Sequence, residues 1–287
     1  MYYINGEVED MKQEKPVNEQ LQENMQETVE KVQQEVTESR SPWYMVSRRA
    51  QFLIVAYLII FAAFSLLAWF VHVHPILSVD VTITKEFQEN KNPILNGLMI
   101  AVSFLGNQPI LFFALIILTA LAFWVVRLRL EALFVVGLSI VSTVLNLLLK
   151  YIVSRPRPTA NLVDVFQRAT GQSFPSGHVM SYVAFWGLIF SLGLILFRRD
   201  RWWNYVLLIV PAFFVVMVGP SRIYLGDHWA SDVLGGYMFG GLLLGLALWL
   251  YMFLKSRGIL TPLLNNPKEH LFGSRSSSHN AHRSASS

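Results

Sequence analysis

The chain has 287 residues, of which 53% are hydrophobic and only 15% charged, where a soluble domain carries about 25% charged residues. It has no cysteine, which excludes disulfides, thiolate catalysis and cysteine-based zinc sites. The formal net charge of +4 comes from basic residues beside apolar segments rather than on one polar face, a pattern that fits membrane flanks and not nucleic acid.

Residues 1–42 differ from the rest, with ten acidic against four basic side chains up to Arg40. Leu21, Met25, Val29, Val32 and Val36 recur at helical spacing. The stretch reads as an acidic cytoplasmic tail, either disordered or a solvated amphipathic helix. No apolar run opens the chain, and no cleavable signal peptide is expected.

Spanning a bilayer takes roughly 20 apolar residues in a helix. Six stretches qualify, at about 51–72, 108–126, 132–152, 177–197, 202–219 and 232–254, none with a charge in its middle. Residues 94–105 are apolar but short, interrupted by Asn96 and Gly97 and followed by Gly106. The expected fold is therefore all-α: a six-transmembrane helical bundle over 43–255, with an interfacial helix between the first and second spans. Trp43, Trp69, Trp124, Trp202, Trp203 and Trp249 lie near span ends, as an aromatic belt requires. Residues 256–287 read as a flexible, basic, Ser-rich tail, and His279 and His282 within it are given no metal.

The short flanks assign orientation. Arg48/Arg49, Arg127/Arg129, Arg198/Arg199/Arg201 and Lys255/Arg257 all fall on one side of six spans, which makes that side and both termini cytoplasmic. The outer connections break this rule, because Lys150, Arg155, Arg157, Arg168 and Arg222 lie in or beside them together with His178 and His228. Snorkelling explains one such residue at a span end. Three separated clusters point instead to an anionic ligand.

The first cluster runs from Lys150 to Arg155-Pro156-Arg157-Pro158, where the prolines end a helix and the cations offer a point charge and a planar fork to phosphate oxygens. The second is Phe174-Pro175-Ser176-Gly177-His178 at the mouth of the fourth span, where free N–H groups and the Ser176 hydroxyl suit an anion. The third runs from Ser221-Arg222 to His228 and Asp232. His228 and Asp232 are four apart, so on a helix they share a face. Asp232 then either orients the imidazole as a nucleophile or base, or simply caps the sixth span.

Together the clusters resemble the signature of the type 2 phosphatidic acid phosphatase family, which shares its site with vanadium-dependent haloperoxidases. The pattern is Lys, six residues, Arg-Pro; then Pro-Ser-Gly-His; then Ser-Arg, five residues, His, three residues, Asp. The resemblance covers about 50–255 and leaves both tails outside it. It implies a membrane lipid phosphatase in which His228 attacks phosphorus, Asp232 orients it and His178 protonates the leaving oxygen. It also implies that Lys150, Arg157, Arg222, Ser176, Gly177 and Ser221 bind the phosphate, with no metal or other cofactor. For Ser221 the alternative is that it only supports Arg222.

The implied substrate is a lipid phosphate of the bilayer, such as an isoprenoid diphosphate, phosphatidylglycerol phosphate or phosphatidic acid, processed at the extracytoplasmic face of the cell membrane. The rivals are a vanadate-dependent haloperoxidase, which six spans disfavour, and a non-enzymatic binder of anionic lipid, which the intact nucleophile and acid disfavour. Asp227 is assigned no direct role, and nothing in the sequence sets an oligomeric state.

Overall fold

The computed structural model describes residues 48–90, 92–166, 169–196 and 202–259. The acidic tail with Trp43, the Ser-rich tail from residue 260 with His279 and His282, and Arg168, Arg198, Arg199 and Arg201 lie outside them. So do the side chains of Arg48, Arg49, Trp202 and Trp203. The chain divides into two units, Met1–Ala56 and Tyr57–Ser287, and the residues of the site described below belong to the second.

Every regular element among the described residues is helical. In chain order these are α1 (Arg48–Val73), α2 (Ser78–Glu89), α3 (Pro93–Asn107), α4 (Pro109–Val125), α5 (Arg129–Val153), α6 (Gly177–Leu196), α7 (Trp202–Tyr224) and α8 (Ala230–Ser256). Helices α1, α5, α6, α7 and α8 are long and apolar enough to cross a membrane. Helices α3 and α4 make a sixth crossing if they count as one broken span, bent by 73°. The break has a local cause. Pro109 lacks an N–H and pushes Gln108 out of the helical region, to φ −117° and ψ 81°. The segment expected to be interfacial thus begins at Pro93, capped by Asn92 Oδ1 on the Ile94 N–H at 2.9 Å, and runs through Gly106 to Asn107.

Two features depart from the sequence reading. Helix α2 was not foreseen, because its inward face carries Asp80, Thr84 and Gln88 where apolar residues are the usual signal. Helix α7 continues past residue 219, so Arg222 lies on its last turn rather than in a loop. Pro220 sits inside that helix and cannot bond the Val216 carbonyl four residues earlier. The Tyr237 hydroxyl donates to that carbonyl at 3.2 Å and to Val215 O at 2.7 Å, while accepting from Gly219 N at 3.1 Å. Backbone groups freed by proline in a bilayer need such partners from neighbouring helices.

Helix α6 is the most buried of the long helices, packed against α5, α7 and α8. Its approach to α8 depends on small residues: a Cβ on Gly236 would stand 2.9 Å from Val179 Cβ, and one on Gly240 would stand 3.2 Å from Val183 Cβ. A π-helical turn, Val183–Gly187, interrupts α6 five residues after His178. Aromatic rings fill the space beside it, with Trp186 stacked on Phe214 at 4.7 Å and Phe112 on Tyr182 at 5.8 Å. Most other large apolar side chains of α1, α4 and α5 face outward, as expected of helices solvated by lipid. The protein is a multi-pass membrane protein.

Helices α5 and α8 run the length of the bundle and define its two ends. Glu131 and Lys255 meet at 3.3 Å at one end, where Tyr251 also donates to Glu131 at 2.7 Å. Lys150 and Asp232 belong to the other end, and all three sequence clusters gather there.

Candidate active site

Helix α5 stops at Val153 because Ser154 adopts a left-handed conformation, with φ 50°, and Pro156 and Pro158 follow. This stiff exit sends its two arginines to different partners. Arg155 is fully buried among Asp80, Ser231 and Asp232. Arg157 lies over the histidine of the third cluster. Its Nη1 donates to Asp227 O at 2.8 Å and to His228 Nε2 at 3.2 Å, and its Nε donates to Gly171 O at 3.1 Å. Lys150 reaches the Gln172 and Ser173 carbonyls at 2.5 and 3.3 Å.

The Arg157 contact fixes the His228 tautomer. A guanidinium has no acceptor, so His228 Nε2 must present its lone pair and Nδ1 must carry the proton. Nδ1 faces Ser173 Oγ at 3.4 Å and Asp232 Oδ2 at 3.5 Å. Ser173 in turn donates a short hydrogen bond to the same carboxylate oxygen. His228 is not on the helix of Asp232, however. Helix α8 begins at Ala230, and Asp232 Oδ2 also caps it by accepting from Trp229 N at 2.9 Å. Asp232 thus caps α8 and also lies within 3.5 Å of the imidazole.

Gly177 opens α6, with Ser176 as its N-cap residue. The Ser176 hydroxyl is buried without a hydrogen-bond partner among the described residues, as is Arg222 Nε. Unpaired buried polar atoms are costly, and the Ser176 hydroxyl stands at a helix N-terminus, where free N–H groups suit an anion. A side chain at Gly177 would meet Asn146 Oδ1 at 2.9 Å, so glycine alone lets α6 start this close to α5. Asn146 also donates to Pro175 O at 3.1 Å, which holds the loop on α5.

His178 Nε2 lies 2.8 Å from Asn107 Oδ1, which also accepts from Arg222 Nη1 at 3.4 Å. Facing that oxygen, Nε2 carries the proton. Arg222 pairs on its other side with Asp227, and both groups are buried. Ser221 turns away to Ser103 in a short hydroxyl–hydroxyl bond.

A cavity of about 230 Å³ lies among these groups, lined by Lys150, Arg157, Gly177, His178 and His228 together with Asn146 and residues of α3, α4 and α5. Five of the nine residues singled out from the sequence thus share one wall. Ser176, Arg222 and Asp232 do not line the cavity but bond or neighbour those that do, whereas Ser221 is engaged elsewhere. A second cavity of about 510 Å³ lies on the loop side of Arg157 and is bounded also by Thr170, Gly226 and Asp227.

Burial and three nearby cations decide the electrostatics. His228 is held well below the usual imidazole range, first by desolvation and then by Arg157, Lys150 and Arg222. Burial lowers Arg157 from the usual guanidinium value, opposed by Asp227 and Asp232. Burial raises Asp227, opposed by Arg222 and Arg157. No group of three or more His, Cys, Asp or Glu side chains among the described residues could hold a metal ion.

The PAP2 superfamily matches residues 130–256. Phosphatidylglycerophosphatase B of Bacillus subtilis (strain 168) is 32% identical over 187 residues, which cover 64% of this chain and 89% of that one. The chain belongs to the PAP2 superfamily. An undecaprenyl-diphosphatase of Sulfolobus acidocaldarius is 31% identical over 169 residues, covering 57% of this chain and 74% of its own length. The crystal structure of a transmembrane PAP2 type phosphatidylglycerolphosphate phosphatase from Bacillus subtilis superposes with a TM-score of 0.59 at 28% identity, covering 68% of this chain and 94% of that one. This chain is a PAP2-type membrane lipid phosphatase.

The sequence did not single out Ser173, Asn107 or Asp80 for the site, and it gave Arg155 no place apart from the other cations. Asp227 was set aside. The only local hint was proximity to a motif, because each one's partner lies far along the chain or is shared with a residue already chosen.

Proposed function

We propose that the protein removes a terminal phosphate from a membrane lipid through a phosphohistidine on His228. The observation that carries this reading is the His228 tautomer: a neutral imidazole with its Nε2 lone pair on the cavity that Lys150, Arg157 and His178 line. Phosphorus bound there is attacked by Nε2. The bond to the lipid oxygen breaks, and His178, protonated on both ring nitrogens beside the bound phosphate, gives the Nε2–H that faces Asn107 to that oxygen and becomes neutral. Water then attacks the phosphohistidine, gives a proton to His178, and inorganic phosphate leaves. Asp232 and Ser173 receive the Nδ1–H as His228 becomes positive.

Lys150, Arg157 and Arg222, with the Ser176 hydroxyl and the Gly177 N–H, hold the phosphoryl oxygens and stabilise the charge that builds in the transition state. Fixed cations thereby do what Mg²⁺ does in many phosphoryl-transfer enzymes. The Ser103–Ser221 bond argues that Ser221 anchors the last turn of α7 to α3 and acts on phosphate only through Arg222.

The substrate is a lipid monophosphate or diphosphate. The names of the relatives support phosphatidylglycerol phosphate and an isoprenoid diphosphate as the first two to test, with phosphatidic acid third. Counting α3 and α4 as one broken span gives six crossings. Arg127, Arg129, Lys255 and Arg257 then flank the end opposite the site, so that end is cytoplasmic and the site opens extracytoplasmically.

The test is hydrolysis of a panel of lipid phosphates by the purified protein, with an alkaline detergent quench that preserves phosphohistidine for detection. His228→Ala should abolish turnover and the acid-labile phosphoenzyme. His178→Ala should still accumulate phosphoenzyme from a substrate with a good leaving group. Near-normal turnover by His228→Ala protein would refute the reading.

A further inference from the structure

The two arginines that leave α5 together do unlike things. Arg157 lines the substrate cavity, while Arg155 is wholly buried and does not. Arg155 uses four of its hydrogen-bonding positions on protein: Nε to Pro75 O at 2.9 Å, Nη1 to Ser231 Oγ at 2.7 Å and to Asp232 Oδ1 at 2.6 Å, and Nη2 to Asp80 Oδ2 at 2.7 Å. Its side chain is 0% exposed, against 2% for Asp80 and 0% for Asp232. Asp80 is held in turn by the Ser231 N–H at 2.9 Å and the Ser231 hydroxyl at 2.5 Å.

The carboxylate of Asp232 is therefore divided. Oδ1 belongs to Arg155, and Oδ2 serves Ser173, Trp229 N and His228 Nδ1. We propose that Arg155 and Asp80 are positioning residues for the nucleophile, a relay from α2 through Asp232 to His228. The proposal rests on the phosphohistidine reading above.

The chemistry gives each member a task. When Nε2 bonds to phosphorus, positive charge develops on the imidazole and Nδ1–H leans on Asp232. Arg155 alone would cancel the charge of Asp232 and leave the imidazolium without a counter-charge. Asp80 restores the balance, because two carboxylates around one guanidinium leave one net negative charge beside His228. The fork of Arg155 also bridges the two carboxylates with one bond to each, which anchors Oδ1 of Asp232 and leaves Oδ2 toward Nδ1. Helix α2, which the apolar pattern did not reveal, then supports the nucleophile through Asp80, the residue of its buried face that meets Arg155.

The experiment compares Asp80→Asn, Arg155→Lys and Arg155→Gln with unmodified protein, all purified in detergent and checked for monodispersity. Steady-state hydrolysis of a lipid phosphate and inhibition by vanadate are measured on each. Partners of this kind behind a reacting group cost about 10–100-fold when removed. We expect kcat to fall by about that factor in Asp80→Asn and Arg155→Gln, with KM and vanadate inhibition within about twofold. Arg155→Lys keeps the charge and loses the fork, so it should recover part of the loss. A normal kcat in Asp80→Asn, or a loss confined to KM and vanadate affinity, would overturn the proposal.

If the Arg155 variants do not fold, Asp80→Asn decides alone, since it keeps the size and one acceptor of the native side chain. Inactivity of the unmodified protein on every lipid phosphate would instead bring down the phosphatase reading on which the relay depends.

Discussion

Arg222 and Asp227 form a buried ion pair, and Asp227 is the residue immediately before His228. The pair sets one of the three candidate phosphate-binding cations against an internal anion. An incoming phosphate or vanadate must share Arg222 with that carboxylate. Asp227→Asn keeps the side-chain shape and removes the competing charge, so vanadate inhibition should strengthen by about three- to tenfold, the size of a coupling of about 1 kcal/mol. The check is the vanadate concentration that halves hydrolysis. Weaker inhibition in the variant would mean that Asp227 serves to hold Arg222 in place and does not compete for it.

The depressed His228 pKa has a consequence for stability. In the unfolded chain this imidazole titrates near 6.5, while in the folded protein it refuses the proton until much lower pH. Below about pH 6.5 the unfolded state therefore binds the extra proton, and folding stability falls as pH falls. Thermal unfolding in detergent from pH 7.5 to 5 should show this decline, and His228→Asn should flatten it. An equally steep decline in the variant would place the proton uptake elsewhere.

Metal dependence is the third check. Positive charge at the site comes from Lys150, Arg157 and Arg222, and the described residues contain no cluster suited to an ion. Hydrolysis should persist in millimolar EDTA and should not rise when Mg²⁺ is added. Loss of activity in EDTA with recovery in Mg²⁺ or Zn²⁺ would contradict the charge argument.

Sidedness can be tested cleanly because the chain has no cysteine. Thr170 is exposed beside the site, and Ser256 is exposed at the opposite end of α8. With the site extracytoplasmic, Thr170→Cys should react with a membrane-impermeant maleimide on intact cells and Ser256→Cys should react only after lysis. The reverse pattern would put the site in the cytoplasm.

Much of this protein is legible in its sequence for a local reason. A bilayer demands long apolar helices, so α1, α5, α6, α7 and α8 announce themselves within a residue or a few of their ends. The site clusters are legible because each is contiguous: a lysine and arginine around a helix exit, a Pro-Ser-Gly-His at a helix mouth, and a histidine and aspartate four apart. The end of the short apolar segment near Gly106 was also visible, although the 73° bend falls at Gln108 and Pro109 and depends on what α3 and α4 pack against.

What the tertiary structure decided is which residues these clusters meet. Asp80 reaches Arg155 across 75 residues and Ser231 across 151, and no local pattern encodes such a pairing. The helix carrying Asp80 was hidden because it buries polar side chains, the opposite of the signal by which helices are read. The Tyr237 hydroxyl, 21 residues from Val216, lets α7 pass Pro220 and so carry Arg222 to the site. Sequence alone determined the membrane bundle and the chemical groups at its mouth. Their charge states, tautomers and supports came from burial and long-range hydrogen bonds, which exist only once the helices are packed.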